Sequence, residues 1–128
     1  MNRIVKRNTL RTEHNCNGHR FRVIENWILH SLKLGKVIIK AGFWTDYATI
    51  PRMLWWLFDP LDYREEGTYH DWLYKEQVIN GKSITRKQAD QELYEFVLQN
   101  HDKKTARTFY WGVRIGGSKP WNEYRKDK

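Results

Sequence analysis

Residues 20–44 read RFRVIENWILHSLKLGKVIIKAGFW. Two runs in this stretch, RFRVIENWILHSL and KVIIKAGFW, mix β-branched and aromatic residues with partial alternation, as half-buried strands do. The Leu34-Gly35 step between them suits a hairpin turn, because glycine enters the left-handed region that tight turns need. A small antiparallel β hairpin or sheet is therefore predicted toward the N-terminus.

Downstream the apolar period lengthens. Pro51 can open a short helix, PRMLWWLF, at its first position, and Pro60 ends that run. A segment near 65–79 contains HDWLYKEQVI, with Asn80-Gly81 closing it in the manner of a C-terminal cap. Thr85 and Gln88 form a capping-box start for a helix that continues to about residue 99. Ala89, Leu93, Phe96 and Val97 are its apolar stripe. A further helix over about 103–115 aligns Ala106, Phe109, Tyr110 and Val113 and stops at Gly116-Gly117. A small sheet followed by three to four packed helices is an α+β arrangement. No repeat or linker divides residues 1–128, so one domain is expected: a basic arm over 1–19, a core over 20–117 and a basic tail over 118–128.

Hydrophobic residues make up 40% of the chain and aromatics 15%, enough large apolar side chains for a real core and too many for a disordered chain. Cys16 is the only cysteine, which excludes an internal disulfide and a Cys-rich zinc site. The start, MNRIVKRNTLRTEH, lacks the apolar run of a signal peptide, and no stretch approaches the roughly 20 apolar residues that cross a bilayer. The expectation is a soluble protein made in a cytoplasm. The net charge of +8 divides into +7 over residues 1–40, −4 over 41–100 and +5 over 101–128. Basic ends of this kind suit nucleic acid, anionic lipid or an acidic protein, and equally a solvated surface. The acidic middle is where a metal ion or a carboxylate-assisted reaction would sit.

Two groups in that middle carry chemistry. In HDWLY, His70 and Tyr74 are one helical turn apart and share a face, with Asp71 about 100° around the axis. An imidazole titrates near neutral pH, and a carboxylate can hold its tautomer and its cation, which makes a general base. Asp90, on the next helix, is the candidate orienting carboxylate, and Asp71 can instead bind a hard cation such as calcium. A His–Asp dipeptide is a weak signal by itself, and from these residues alone ordinary core packing is the simpler account. In GFWTDYATIPR, residues 42–52, Asp46 either braces its loop through backbone N–H groups or delivers a second carboxylate toward His70. Arg52 can bind an anion or pair with Asp46. Trp55, Trp56 and Phe58 are expected in the core, an exposed subset forming an apolar or membrane-facing lip. His14, His19, His30 and His101 show no ligand spacing to one another and are expected at the surface or in turns.

GFWTDYATIPRMLWWLF, YHDWLY, RKQADQELYEFV and ARTFYWGVRIGGSKPW, in this order, resemble the domain-of-unknown-function 1353 family, small proteins found mainly in tailed bacteriophages and prophages. The resemblance covers roughly residues 20–121, and Thr49 stands where that family's pattern has Ser. It implies a phage setting more firmly than a reaction. The His-Asp-x-x-Tyr helix is more distantly similar to phospholipase A2 enzymes, above all the disulfide-free kind in parvovirus capsids. That similarity implies His70 as base, Asp71 as calcium ligand, Tyr74 as a supporting hydroxyl and Asp90 as orienter. The glycine-rich calcium loop of those enzymes is replaced here by FWTDYATIP, where Asp46 would stand in for loop carbonyls.

The expected function is thus a phage hydrolase with a His-based general base, using either calcium or no cofactor, acting on a phospholipid or another ester. The alternative is a non-enzymatic virion component, such as a tail or connector protein, whose polar cluster is structural and whose basic termini dock other phage structural proteins, anionic lipid or DNA. Its location is then the host cytoplasm when made and the virion afterwards. Nucleic-acid binding as the main role ranks last, because no binding motif accompanies the charge.

Overall fold

A computed structural model describes residues 3–14, 20–45 and 51–126, with all side chains in these spans except those of Arg52, Trp55, Pro60 and Leu61. The architecture is α+β, as predicted. Strands β1 (Ile4–Lys6), β4 (Trp27–Ser31) and β5 (Gly35–Ile39) form one antiparallel sheet in the order β1-β4-β5. Strands β2 (Thr12–His14), β3 (Phe21–Val23) and β6 (Trp44–Thr45) form a second, in the order β2-β3-β6. The run RFRVIENWILHSL thus supplies two strands, one to each sheet. The Leu34-Gly35 turn is present, with Gly35 at φ 80°.

Strands β1 and β2 fall in the segment read from sequence as a basic arm. They are three residues each and only Ile4 is buried, so they carry almost no apolar signal. Strand β2 is held by its pairing with β3, and β1, beside its pairing with β4, by α3: Ile4 N–H donates to Gln99 Oε1 at 3.1 Å, and Gln99 Nε2 returns a bond to the Ile4 carbonyl at 2.5 Å.

Alternation in β4 and β5 turns Trp27, Leu29, Val37 and Ile39 inward as the cross-strand pairs Trp27–Ile39 and Leu29–Val37. Onto this face packs α2 (Arg64–Glu76), preceded by the short α1 (Arg52–Leu57) and a 3-10 turn, Pro60–Tyr63. Every residue of α2 from Glu66 to Tyr74 is buried. It is covered on further sides by α3 (Arg86–Asn100) and α5 (Ser118–Lys126), while α4 (Lys103–Gly116) packs on α3. The Thr85–Gln88 capping box opens α3, and its predicted stripe is fully buried. Asp102 caps α4 by accepting from Thr105 N–H at 2.8 Å.

Two local readings change. Helix α2 ends at Gln77, itself left-handed at φ 58°, and not at Asn80-Gly81. Those two residues, at φ 54° and 78°, turn the hairpin β7–β8 (Val78–Ile79 with Lys82–Ser83). Asn-Gly is the preferred pair for a two-residue hairpin turn with positive φ at both positions, so the hairpin signal outweighed the cap signal. The segment read as a basic tail is the helix α5, tied down by the buried Trp121.

Candidate active site

Helix α2 presents polar side chains to the interior, and its neighbours answer most of them, the buried Thr68 hydroxyl being the exception. Tyr69 Oη donates to Glu92 at 2.7 Å, His70 Nε2 lies 2.8 Å from Asp90 Oδ1, and Tyr74 Oη donates to the same Oδ1 at 2.6 Å. Further back, Asn100 Nδ2 and His101 Nε2 reach Glu66 at 3.3 and 3.1 Å. As numbering rises along α2 the partners on α3 fall, so the helices run antiparallel, as their short connection predicts.

Asp90 is the centre. Its other oxygen, Oδ2, accepts from Arg114 Nη1 at 2.9 Å and lies 3.5 Å from Arg86 Nη1. His70, Tyr74 and Asp90 have no exposed surface, while the two arginines keep about a quarter or less of their side chains in water. Burial pushes the Asp90 carboxyl up, but the bonds and charge of His70, the Tyr74 hydroxyl and Arg114 together hold it below its ordinary value. Burial also raises Tyr74, with the Asp90 charge adding to it, so Tyr74 remains a neutral donor. Asp90 is therefore a fixed anion beside an imidazole. The His70 and Tyr74 rings are 4.3 Å apart, and Trp121 meets Tyr74 edge-on at 5.1 Å.

The site depends on one glycine. Gly117 has ordinary helical φ and ψ, so space, and not backbone freedom, demands glycine there. A Cβ at Gly117 would fall on Tyr74 Oη and 2.5 Å from the Val113 carbonyl oxygen. Gly117→Ala is expected to lose about 2–3 kcal/mol of stability, the range of overpacking in a tight site. Denaturant unfolding checks this, and the tyrosine absorbance should report a displaced Tyr74. An unchanged midpoint would mean that α5 shifts without cost.

Of the residues singled out in the sequence, His70, Tyr74 and Asp90 meet directly. Asp71 is next to them in the chain, buried, and accepts from the Thr45 hydroxyl of β6. Asp46 lies outside the described residues, and so does the side chain of Arg52, whose backbone opens α1. Trp56 is not in the core: it is 89% exposed, while Phe58 is half-buried. Among the described residues no three His, Cys, Asp or Glu side chains form a group that could hold a metal. The described oxygen donors at the predicted calcium position are Asp71 and Thr45, hard ligands of the right kind but few against the six to eight that calcium takes.

Arg86, Arg114 and Thr45 were not foreseen. Arg86 was findable, since it stands four residues before Asp90 on one helix face. Arg114 lies 24 residues beyond Asp90 and reads in the sequence as one more basic residue of a basic end. A second buried carboxylate, Glu92, was also missed; besides Tyr69 it binds the Ser31 hydroxyl at 2.5 Å and ties α3 to β4.

A small α+β domain organised around a buried His–Asp pair is thus the class that fold and site define. The chain belongs to the family described as protein of unknown function (DUF1353), whose model matches residues 21–113, a span that contains His70, Tyr74 and Asp90. No curated protein and no solved structure matches it. Among the described residues no helix is long and apolar enough to cross a membrane.

Proposed function

We propose that this is a small bacteriophage or prophage hydrolase that cleaves an ester, a phospholipid ester first among them, with His70 as general base. The observation that carries the proposal is the 2.8 Å contact of His70 Nε2 with an Asp90 kept anionic by Tyr74 and Arg114. A proton on Nε2, donated to Asp90 Oδ1, leaves the acceptor lone pair of the neutral ring on Nδ1. Once the site has opened to admit water and the ester, Nδ1 takes a proton from that water as it adds to the acyl carbon. Asp90 holds the resulting imidazolium, and the proton passes to the departing alkoxide as the acyl C–O bond breaks. The products are an alcohol and a carboxylic acid, which loses its proton to solvent to leave the carboxylate. Calcium, when bound, would polarise the ester carbonyl, with Asp71 and Thr45 as the oxygens at hand. Because His70 has no exposed surface, turnover includes an opening step that admits the ester.

A second reading is a non-enzymatic virion component, a tail or connector protein made in the host cytoplasm. The observation that favours it is the complete burial of His70, Tyr74 and Asp90, since a closed, fully satisfied network can serve to lock helices in one register. The phage setting in both readings rests on the four ordered motifs and the family they define.

The test is release of fatty acid from phosphatidylglycerol vesicles and of chromophore from short-chain esters, with calcium and with a chelator. Hydrolysis that the chelator abolishes is the expected result. Folded protein that releases nothing from either substrate in calcium would leave the virion-component reading.

A further inference from the structure

We propose that the face formed by α1 and α4 docks the protein onto an anionic lipid surface. Gly112 and Gly116, one turn apart on α4, form the seat of α1. A Cβ at Gly112 would come within 2.7 Å of Leu54 Cδ1, and one at Gly116 within 3.0 Å of Pro51 Cγ. Absence of side chains there lets α1 lie directly on α4. Leu54 fills the contact, and the side chains on either side of it are left facing water.

Those side chains are large and apolar. Met53 is 73% exposed, Trp56 89% and Leu57 66%, while beside the glycines Trp111 is 61% exposed and Ile115 82%. Isolated exposed apolar residues are common, but five on two touching helices make a patch that needs a partner. Two are tryptophans, the side chain most at home where hydrocarbon meets headgroups.

The occupant follows from charge. Lys104, Arg107, Trp111 and Ile115 fall on one stripe of α4 at helical spacing, cations at one end and the apolar patch at the other. Helix α4 carries four Lys/Arg and no acid, and α5 carries Lys119, Arg125 and Lys126 against Glu123. A second copy would bring the same cations against these, in a chain whose net charge is already +8. An anionic bilayer instead accepts aromatic and aliphatic side chains at its interface and attracts the basic rim. The mode is peripheral, because among the described residues no helix is long and apolar enough to span.

Docking goes beyond the proposed hydrolysis and does not require it, so the experiment reads binding alone, in a chelator where calcium-dependent turnover is silent. The full chain is sedimented with vesicles of phosphatidylglycerol or of phosphatidylcholine at moderate salt. Co-sedimentation with the first and little with the second is expected, declining as salt rises. The double variants Trp56→Ser/Ile115→Ser and Lys104→Glu/Arg107→Glu should each weaken binding about tenfold or more, since each removes one of the two forces. All four positions are exposed, and circular dichroism confirms that the variants fold. Equal binding to both vesicles, no binding to either, or unchanged binding by both variants would each overturn the proposal. So would a wild-type dimer in solution that Trp56→Ser/Ile115→Ser converts to monomer, because the face would then belong to a second copy.

Discussion

Asp90→Ala is expected to lower the unfolding free energy by about 3–5 kcal/mol, the range seen when one partner of a buried charge pair is removed. His70 and Tyr74 lose their acceptor where water does not reach. Arg114 and Arg86 lose their counter-charge, though both can still reach solvent, which keeps the loss from being larger. Small domains are stable by only about 5–15 kcal/mol, so a large part of the total disappears and Tm should fall by roughly 10 °C or more. Asp90→Asn keeps the shape and should cost less. It also isolates the charge through its pH dependence. The folded-state pKa of Asp90 is lowered, so its stabilising contribution is complete above the ordinary carboxylate value and is lost as pH falls through the lower folded value. Below about pH 4, therefore, the wild type should lose an increment of stability that Asp90→Asn does not. Parallel stability curves for the two proteins would show that the network, not the charge, is what matters.

His70→Gln is expected to separate chemistry from stability. The glutamine amide can still donate to Asp90, so the fold should hold with a loss of about 1 kcal/mol, while proton abstraction is gone. If the protein hydrolyses esters, the rate should fall about 10²–10⁴-fold, the usual contribution of a general base, with KM little changed. A variant that melts like the wild type and hydrolyses like it would remove His70 from the chemistry. Loss of folding without any wild-type activity would instead assign His70 a purely structural part.

What could be read in the sequence and what could not divide along physical lines. Helix α3 was legible from its capping box to its stripe because both signals are local. The convergence of His70, Tyr74 and Asp90 was legible because helical spacing and a short connection fix it. Strands β1 and β2 were not, since three-residue edge strands exist only through their partners. Asn80-Gly81 was read as a cap because an αL residue after a helix and a hairpin turn share one composition; the true cap, Gln77, has no glycine to announce it. Arg114 escaped for the same reason as the strands, and Gly117 reads only as the stop of α4: their further meaning lies in contacts with Asp90 and Tyr74, which no local pattern encodes.

The burial of α2 on every side has a consequence for how the protein is made. Apart from Asp71, which Thr45 answers, its polar residues leave the ribosome well before their partners Asp90, Glu92 and Asn100, and before Arg114, which binds Asp90, and Trp121, which closes over Tyr74. Strand β1, which pairs with β4, likewise gains its two Gln99 bonds only after α3 is made. The nascent chain therefore has little native structure to settle into until α4 and α5 have emerged. A ribosome stalled before residue 114 should hold a protease-sensitive chain, and release of the finished one should bring protection in a single cooperative step.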